Sequence, residues 1–189
     1  MHFFATLKAL EYGYATRTSG ILYTKPVEEK CTNVLIAYAD SGFGTPRSQG
    51  CSLIMMNGGV ISLSSKRHTT TDDSTTAAEL TQLHLCACEV MGLRNLMDEV
   101  GLHQELPTIV FQDSKPAVQI ALNRGALSKK TRSMSLRVLS VRNKIEDGCI
   151  YPVLKPTEAM LADIGTKPTD VSVFQDMRDQ INGYKSIVG

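Results

Sequence analysis

Asn57-Gly58-Gly59 stands between two apolar runs, Cys51 to Met56 and Val60 to Leu63. Asparagine followed by glycine accepts the positive φ angles that the tightest hairpin turns demand, so this junction predicts two antiparallel strands. Just upstream, Asn33 to Asp40 carries the compact run VLIAYA, closed by the turn-forming SGFGTP. It reads as a buried strand ending in an aspartate. The chain is therefore expected to lay down three antiparallel strands in succession.

After the third strand the hydrophobic period changes. Residues 64 to 76 are dense in Ser, Thr, Asp and basic residues and read as a loop, with Ser74 or a neighbouring Thr placed to cap a helix. Leu80, Leu83, Ala87, Val90, Leu93, Met97 and Val100 then recur every three or four residues, and Gly101 sits where a helix-ending glycine is expected. Thr108 to Gln112 is a fourth strand ending in Asp113, and a helix runs from about Ser114 to Asn123, with Pro116 tolerable only in its first turn. Residues 131 to 147 read as a further helix and Cys149 to Leu154 as a fifth strand. Thr157 to Ile164 form a short helical turn, and Val171 to Ile181 a last helix. Upstream, Phe3, Leu7, Leu10 and Tyr14 have helical spacing, and Ile21 to Tyr23 are expected to begin a strand.

This order, hairpins first and crossovers later, predicts an α/β (α+β mixed) architecture: a five-stranded mixed sheet, its first three strands antiparallel, flanked by helices. The expected organisation is a connector over 1–30, a main domain over 31–168 and a helical tail over 169–189. Its 189 residues are enough to bury a sizeable core. The 42% apolar and 21% charged fractions exclude a disordered or fibrous chain, and no apolar run approaches a membrane span. A soluble intracellular protein, in a cytoplasmic particle or the nucleus, is the expectation. Twenty basic against nineteen acidic residues give +1, so any polyanion site has to be local. The five cysteines form no CxxC pair and are expected to be reduced core residues. His84, Cys86 and Cys88 do not make a metal site, because positions two apart on a helix point to nearly opposite sides.

The chemistry lies in acids placed where strands stop or helices start: Asp40, Glu79, Asp113 and Asp163. Neighbouring strands are about 4.8 Å apart, so such carboxylates can converge. Packed together they repel, and divalent cations supply the compensating charge. Hard oxygen ligands suit Mg²⁺, and a pair of such ions promotes in-line displacement at phosphorus. Each acid also has an ordinary alternative. Asp113 precedes Ser-Lys-Pro and would serve as an N-cap, Asp40 precedes Ser-Gly as a turn residue, Glu79 would favour the helix macrodipole, and Asp163 would be a surface helix end.

The wording around those acids adds a second argument. YADSGFG (38–44), GGVISLSSKRH (58–68), STTAAEL (74–80), FQDSKPAVQIAL (111–122) and LADIGTKP (161–168) resemble, in order and spacing, the ribonuclease H region of copia-type LTR retrotransposon Pol polyproteins. Residues 2–23 are similar to the segment those polyproteins carry between reverse transcriptase and nuclease. The resemblance implies a ribonuclease H-like fold and metal-dependent hydrolysis of the RNA strand of an RNA·DNA hybrid. The partner would be the reverse transcriptase region of the same polyprotein. It also implies two ions, Mg²⁺ or Mn²⁺, and gives the four acids catalytic and metal-binding roles. Asp40 would bridge both ions, Asp163 would complete the one holding the attacking water, and Glu79 and Asp113 would hold the one on the leaving 3′ oxygen. The chain departs from the family pattern at Ala77, where an extra glutamate is usual, and at Leu63, where an aromatic is usual. It also has no histidine between Arg124 and Gly148, Ser133 and Leu139 falling where histidines are expected.

Lys129, Lys130, Arg132, Arg137, Arg142 and Lys144 give six cations with no acid between 129 and 145. Such a stripe fits a phosphate grip on a hybrid without base readout, with Lys129, Lys130, Arg132 and Arg137 as the candidate nucleic-acid contacts; a solvated helix face is the alternative. Arg47 and Lys66-Arg67-His68 are candidates to reach the same groove. A rival expectation is a degenerate or domesticated remnant that binds nucleic acid without cleaving it.

Overall fold

The structure, a computed structural model, describes residues 2–26, 28, 32–123 and 134–185. Five strands form one sheet: β1 (Leu35–Gly42), β2 (Gln49–Met56), β3 (Gly59–Arg67), β4 (Thr108–Gln112) and β5 (Ile150–Leu154). Their spatial order is β3-β2-β1-β4-β5, with β1 antiparallel to β2, β2 antiparallel to β3, and β4 parallel to both β1 and β5. The mixed five-stranded sheet expected from the hairpin-then-crossover order is the one observed. At its turn Asn57 has φ 51° and Gly58 φ 81°, the pair of positive angles that an Asn-Gly hairpin requires.

The helices are α1 (His2–Ala15), α2 (Thr75–Glu99), α3 (Lys115–Leu122), α4 (Ser135–Glu146) and α5 (Val171–Ile181), with 3₁₀ turns at Thr157–Ala159 and Leu161–Gly165. Strand alternation sends side chains to two separate cores. On one face Leu35, Ala37, Ala39, Ile54 and Val110 pack against Leu83, Cys86, Ala87 and Val90 of α2 and Val141 of α4. The small Ala37 and Ala39 let the long helix lie close over the centre of the sheet. On the other face Tyr38, Leu53 and Met55 meet Met160, between the two 3₁₀ turns, Leu161 of the second, and Met177 and Ile181 of α5. A third cluster, Ala77, Leu80, Ala117, Met134 and Val138, ties together the first turns of α2, α3 and α4.

Three expectations are corrected. The composition-based loop at 64–76 begins later, because β3 continues to Arg67 by pairing with Gln49 of a β2 that itself starts earlier than Cys51. The polar run Ser64-Ser65-Lys66-Arg67, exposed from Ser65 onward, suits an edge strand in water. Ile21 to Tyr23 begin no strand. The segment is a strap: Leu22 N–H donates to Asn182 O and Thr24 N–H to Asn57 O, tying the end of α5 to the hairpin turn. Finally, the cysteines are not uniformly core residues. Cys51 and Cys86 are buried, but Cys88 is exposed on the outer side of α2 and Cys149 is partly exposed; Cys31 lies outside the described residues. Among the described residues, no helix is long and apolar enough to cross a membrane.

Candidate metal and nucleic-acid site

Each of the four acids rejects its ordinary alternative. Asp40 sits inside β1, paired with Cys51, so it is no turn residue. Glu79 lies beyond the first turn of α2, where Ser74 already caps the helix by accepting from Ala77 N–H at 3.1 Å. Asp113 is not the cap of α3. Ser114 takes that role, accepting from Ala117 N–H at 3.4 Å, and leaves the aspartate free to accept from Thr157. Asp163 is no surface acid. Within its 3₁₀ turn it is 4% exposed; Asp40 in β1, at 4%, and Glu79 in α2, at 8%, are likewise buried, and carboxylates are rarely so buried without a partner.

The topology explains the gathering. β1 and β4 are parallel neighbours whose last paired residues are Tyr38 and Phe111, and two residues further each chain reaches its acid, Asp40 and Asp113. α2 packs across the same end and brings Glu79 down onto them. One carboxylate oxygen from each of Asp40, Glu79 and Asp113 lies within 4.8 Å of the other two. Asp163 is outside that mutual radius but joins the group through Asp40. Thr166 Oγ1 donates to Asp40 Oδ2 and lies 3.4 Å from Asp163 O. Lys167 Nζ pairs with Asp163 Oδ2 at 2.7 Å, while Asp163 Oδ1 is buried with no hydrogen-bond partner among the described residues.

The electrostatics arise from crowding. Burial, then the charges of Asp40 and Asp113, push the Glu79 carboxyl up to about 8, against the pull of a hydrogen bond from Gln112. Burial also raises Asp163, with Asp40 adding to the rise and Lys167 opposing it. Lys167 itself is raised: its partial burial works the other way but is outweighed by Asp163, with Asp40 and Asp113 adding to the effect. A set of oxygen donors that resists carrying its full negative charge is the chemistry a hard divalent cation relieves.

Several supporting residues escaped the sequence-based expectations. Gln112 Nε2 donates to Glu79 O at 2.9 Å and to Glu79 Oε2 at 3.0 Å. The signal was present, since Thr108, Val110 and Gln112 alternate onto one buried face and an amide in that row needs a polar partner. Thr157 Oγ1 donates to Asp113 Oδ2 at 3.0 Å. Thr166 and Lys167 lie inside the LADIGTKP stretch, and the i,i+4 spacing of Lys167 from Asp163 was the readable clue.

The expected phosphate grip divides. Lys129, Lys130 and Arg132 lie outside the described residues. Arg137 is partly buried and hydrogen-bonds to Thr81 Oγ1 at 3.2 Å and Thr70 Oγ1 at 3.0 Å. With Lys66, Arg67, Thr69 and Ser64 it lines a cavity of about 290 Å³ between β3 and α2. His68 does not belong to an exposed basic loop. It is 2% exposed, with Nδ1 2.7 Å from Asp72 Oδ2 and Nε2 3.2 Å from Gln82 Oε1. Gly50 makes room for this network: a Cβ there would stand 1.9 Å from Gln82 Oε1 and 2.6 Å from His68 Nε2. On α2, Cys86 donates toward Tyr38 O whereas Cys88 Sγ lies 3.8 Å from His84 Nε2, so the three do not converge on one ion.

No family model matches the chain. It is 22% identical over 173 residues to the Transposon Ty1-ER2 Gag-Pol polyprotein of Saccharomyces cerevisiae, covering 90% of this chain and 10% of that protein. To the Transposon Ty1-NL2 Gag-Pol polyprotein of the same yeast it is 25% identical over 175 residues, with the same coverage. The chain thus spans about a tenth of the length of the curated relatives it matches. Among solved structures it is similar to the LC11 ribonuclease H1 isolated from compost by a metagenomic approach, with TM-score 0.55 and 20% identity over 71% of this chain and 94% of that one. The same enzyme solved with an RNA/DNA hybrid gives TM-score 0.54 at 16% identity, covering 70% of this chain and 93% of that one. The N-terminal ribonuclease H domain of a Mycobacterium tuberculosis protein gives 0.55 at 13% identity, over 78% and 98% of the two chains. The fold is that of ribonuclease H, and the resemblance read from the sequence is borne out.

Proposed function

We propose that this chain is a metal-dependent endonuclease that hydrolyses the RNA strand of an RNA·DNA hybrid, acting beside the reverse transcriptase region of a retrotransposon polyprotein. The observation that carries the reading is the approach of Asp40, Glu79 and Asp113 oxygens to within 4.8 Å of one another at the end of the sheet. The ribonuclease H fold is its setting, and one neighbour with that fold was solved on a hybrid.

The donors fit hard divalent ions. They are all oxygens, Glu79 is raised until a cation relieves it, and Asp163 keeps one buried oxygen unpartnered among the described residues. Asp40, Glu79 and Asp113 would hold one Mg²⁺ or Mn²⁺, and Asp40 with Asp163 a second. Bound there, such ions supply activation of the attacking water and neutralisation of the leaving 3′ oxygen. The chain's own residues do the positioning. Gln112 fixes the Glu79 carboxylate, Thr157 orients Asp113, and Thr166 orients Asp40. Lys66, Arg67 and Arg137 line a cavity suited to strand phosphates, which gives grip without base readout. The nuclease unit is residues 31–168, with 1–30 and 169–189 flanking it.

The test is a labelled substrate panel in Mg²⁺. Internal cuts confined to the RNA strand of a hybrid support the reading, while cutting of DNA or loss of terminal nucleotides points to a different nuclease. Binding of hybrid without any cleavage supports the non-cleaving remnant.

A further inference from the structure

The two acids at the Asp163 end of the cluster are already engaged by neighbours just past the last 3₁₀ turn. Thr166 donates to Asp40, and Lys167 Nζ lies 2.7 Å from Asp163 Oδ2. Among the described residues neither Glu79 nor Asp113 has an ion pair. The site is therefore lopsided: one half holds carboxylates without a cation and the other a cation of the chain's own. We propose that Lys167 is the built-in counter-cation of the Asp163 half, and that a second divalent ion enters there only by displacing its ammonium. The proposal rests on reading the acid cluster as a divalent-ion site.

The two partners of this ion pair are unequally free to leave it. The Asp163 side chain is 5% exposed and has nowhere to turn for solvent, whereas that of Lys167 is 47% exposed on a flexible four-carbon stem. Exchanging a protein ammonium for a metal ion therefore costs Lys167 little, since water receives it, and leaves Asp163 compensated throughout. Asp163 Oδ1, unpartnered among the described residues, offers the entering ion a second oxygen that Lys167 does not use. The result is two unequal metal affinities, the weaker one set by the lysine. Removing the lysine removes a like charge a few ångströms from the entering ion and strengthens its binding.

Mn²⁺ binding to the full chain without nucleic acid, counted by the electron paramagnetic resonance of free Mn²⁺, tests this independently of activity. The wild type is expected to show a tighter and a weaker class of site. Lys167→Met tightens the weaker class about tenfold and leaves the tighter class unchanged, Lys167→Arg retains the wild-type pattern, and Asp163→Asn deletes the weaker class. Lys8→Met, an exposed neutralisation on α1, changes neither class. The proposal is overturned if Lys167→Met leaves the weaker class unchanged or loosens it, or if Lys8→Met tightens it equally. If Asp40→Asn removes the tighter class in the same series, the metal-site reading stands and only the lysine's role falls. If Asp40→Asn leaves all binding intact, the metal-site reading itself fails.

Discussion

The side-chain amide of Gln112, on β4, holds Glu79, on α2, by both its backbone carbonyl and its carboxylate, at 2.9 and 3.0 Å. One side chain thus fixes the height of a helix over the sheet and the direction of an acid at its end. Gln112→Met keeps the volume and removes both bonds. Loss of an outer support of this kind typically costs ten- to a hundredfold in metal affinity or activity. We expect a loss of about that size in hybrid cleavage, with Mn²⁺ affinity falling in parallel and the fold retained by circular dichroism.

The raised Glu79 carboxyl makes stability pH-dependent in a definite direction. Its value near 8 in the folded, metal-free protein exceeds the ordinary 4.5, so between those values the folded state holds a proton that the unfolded chain has lost. Stability of the metal-free protein should fall as pH rises from about 4.5 towards 8. Mg²⁺ binds the ionised form, so its stabilising effect should grow over the same range. Urea unfolding at several pH values, with and without Mg²⁺, checks both slopes, and Glu79→Gln should flatten them.

Asp72 shifts the other way. Burial alone would raise its carboxyl, but its hydrogen bonds, including those from His68 and Thr81, hold it below the ordinary value. Its contribution is present above the ordinary value and is lost as pH falls through the lowered one. Asp72→Ala takes one hydrogen-bond partner from each of the buried His68 and Thr81 side chains and should destabilise by about 1–3 kcal/mol at pH 7. Urea denaturation of the variant measures this, and Gly50→Ala, which forces a methyl into the same network, should cost about 1–3 kcal/mol.

The basic rim predicts a salt signature. Lys66 and Arg67 are exposed beside the cavity that Arg137 lines. Replacing both by alanine should weaken hybrid binding similarly for all sequences and reduce the slope of log K against log salt by about two. Fluorescence anisotropy over a range of KCl concentrations reads the slope.

The sheet was legible because its signals are local. Asn57-Gly58 specifies its own turn, and the run VLIAYA specifies a buried strand without reference to the rest of the chain. The limits of β3 were less legible, since Ser64 to Arg67 look like loop until β2 pairs with them. The acids could be named individually, but their spacings of 39, 34 and 50 residues carry no local geometry. Their approach depends on the parallel pairing of β1 and β4, which is a property of topology. The supporting contacts were the least legible. Gln112, Thr157 and Thr166 matter through bonds to residues 33, 44 and 126 positions away. His68 read as one more basic residue in a loop until burial placed it against Asp72.

The most direct test is a time course of a hybrid labelled in its RNA strand, incubated with Mg²⁺ and either the wild-type chain or Asp40→Asn. The account predicts internal RNA cuts from the wild type that EDTA abolishes and that the variant reduces by at least about a hundredfold. RNA left uncut by the wild type, or cut equally by Asp40→Asn, would contradict it.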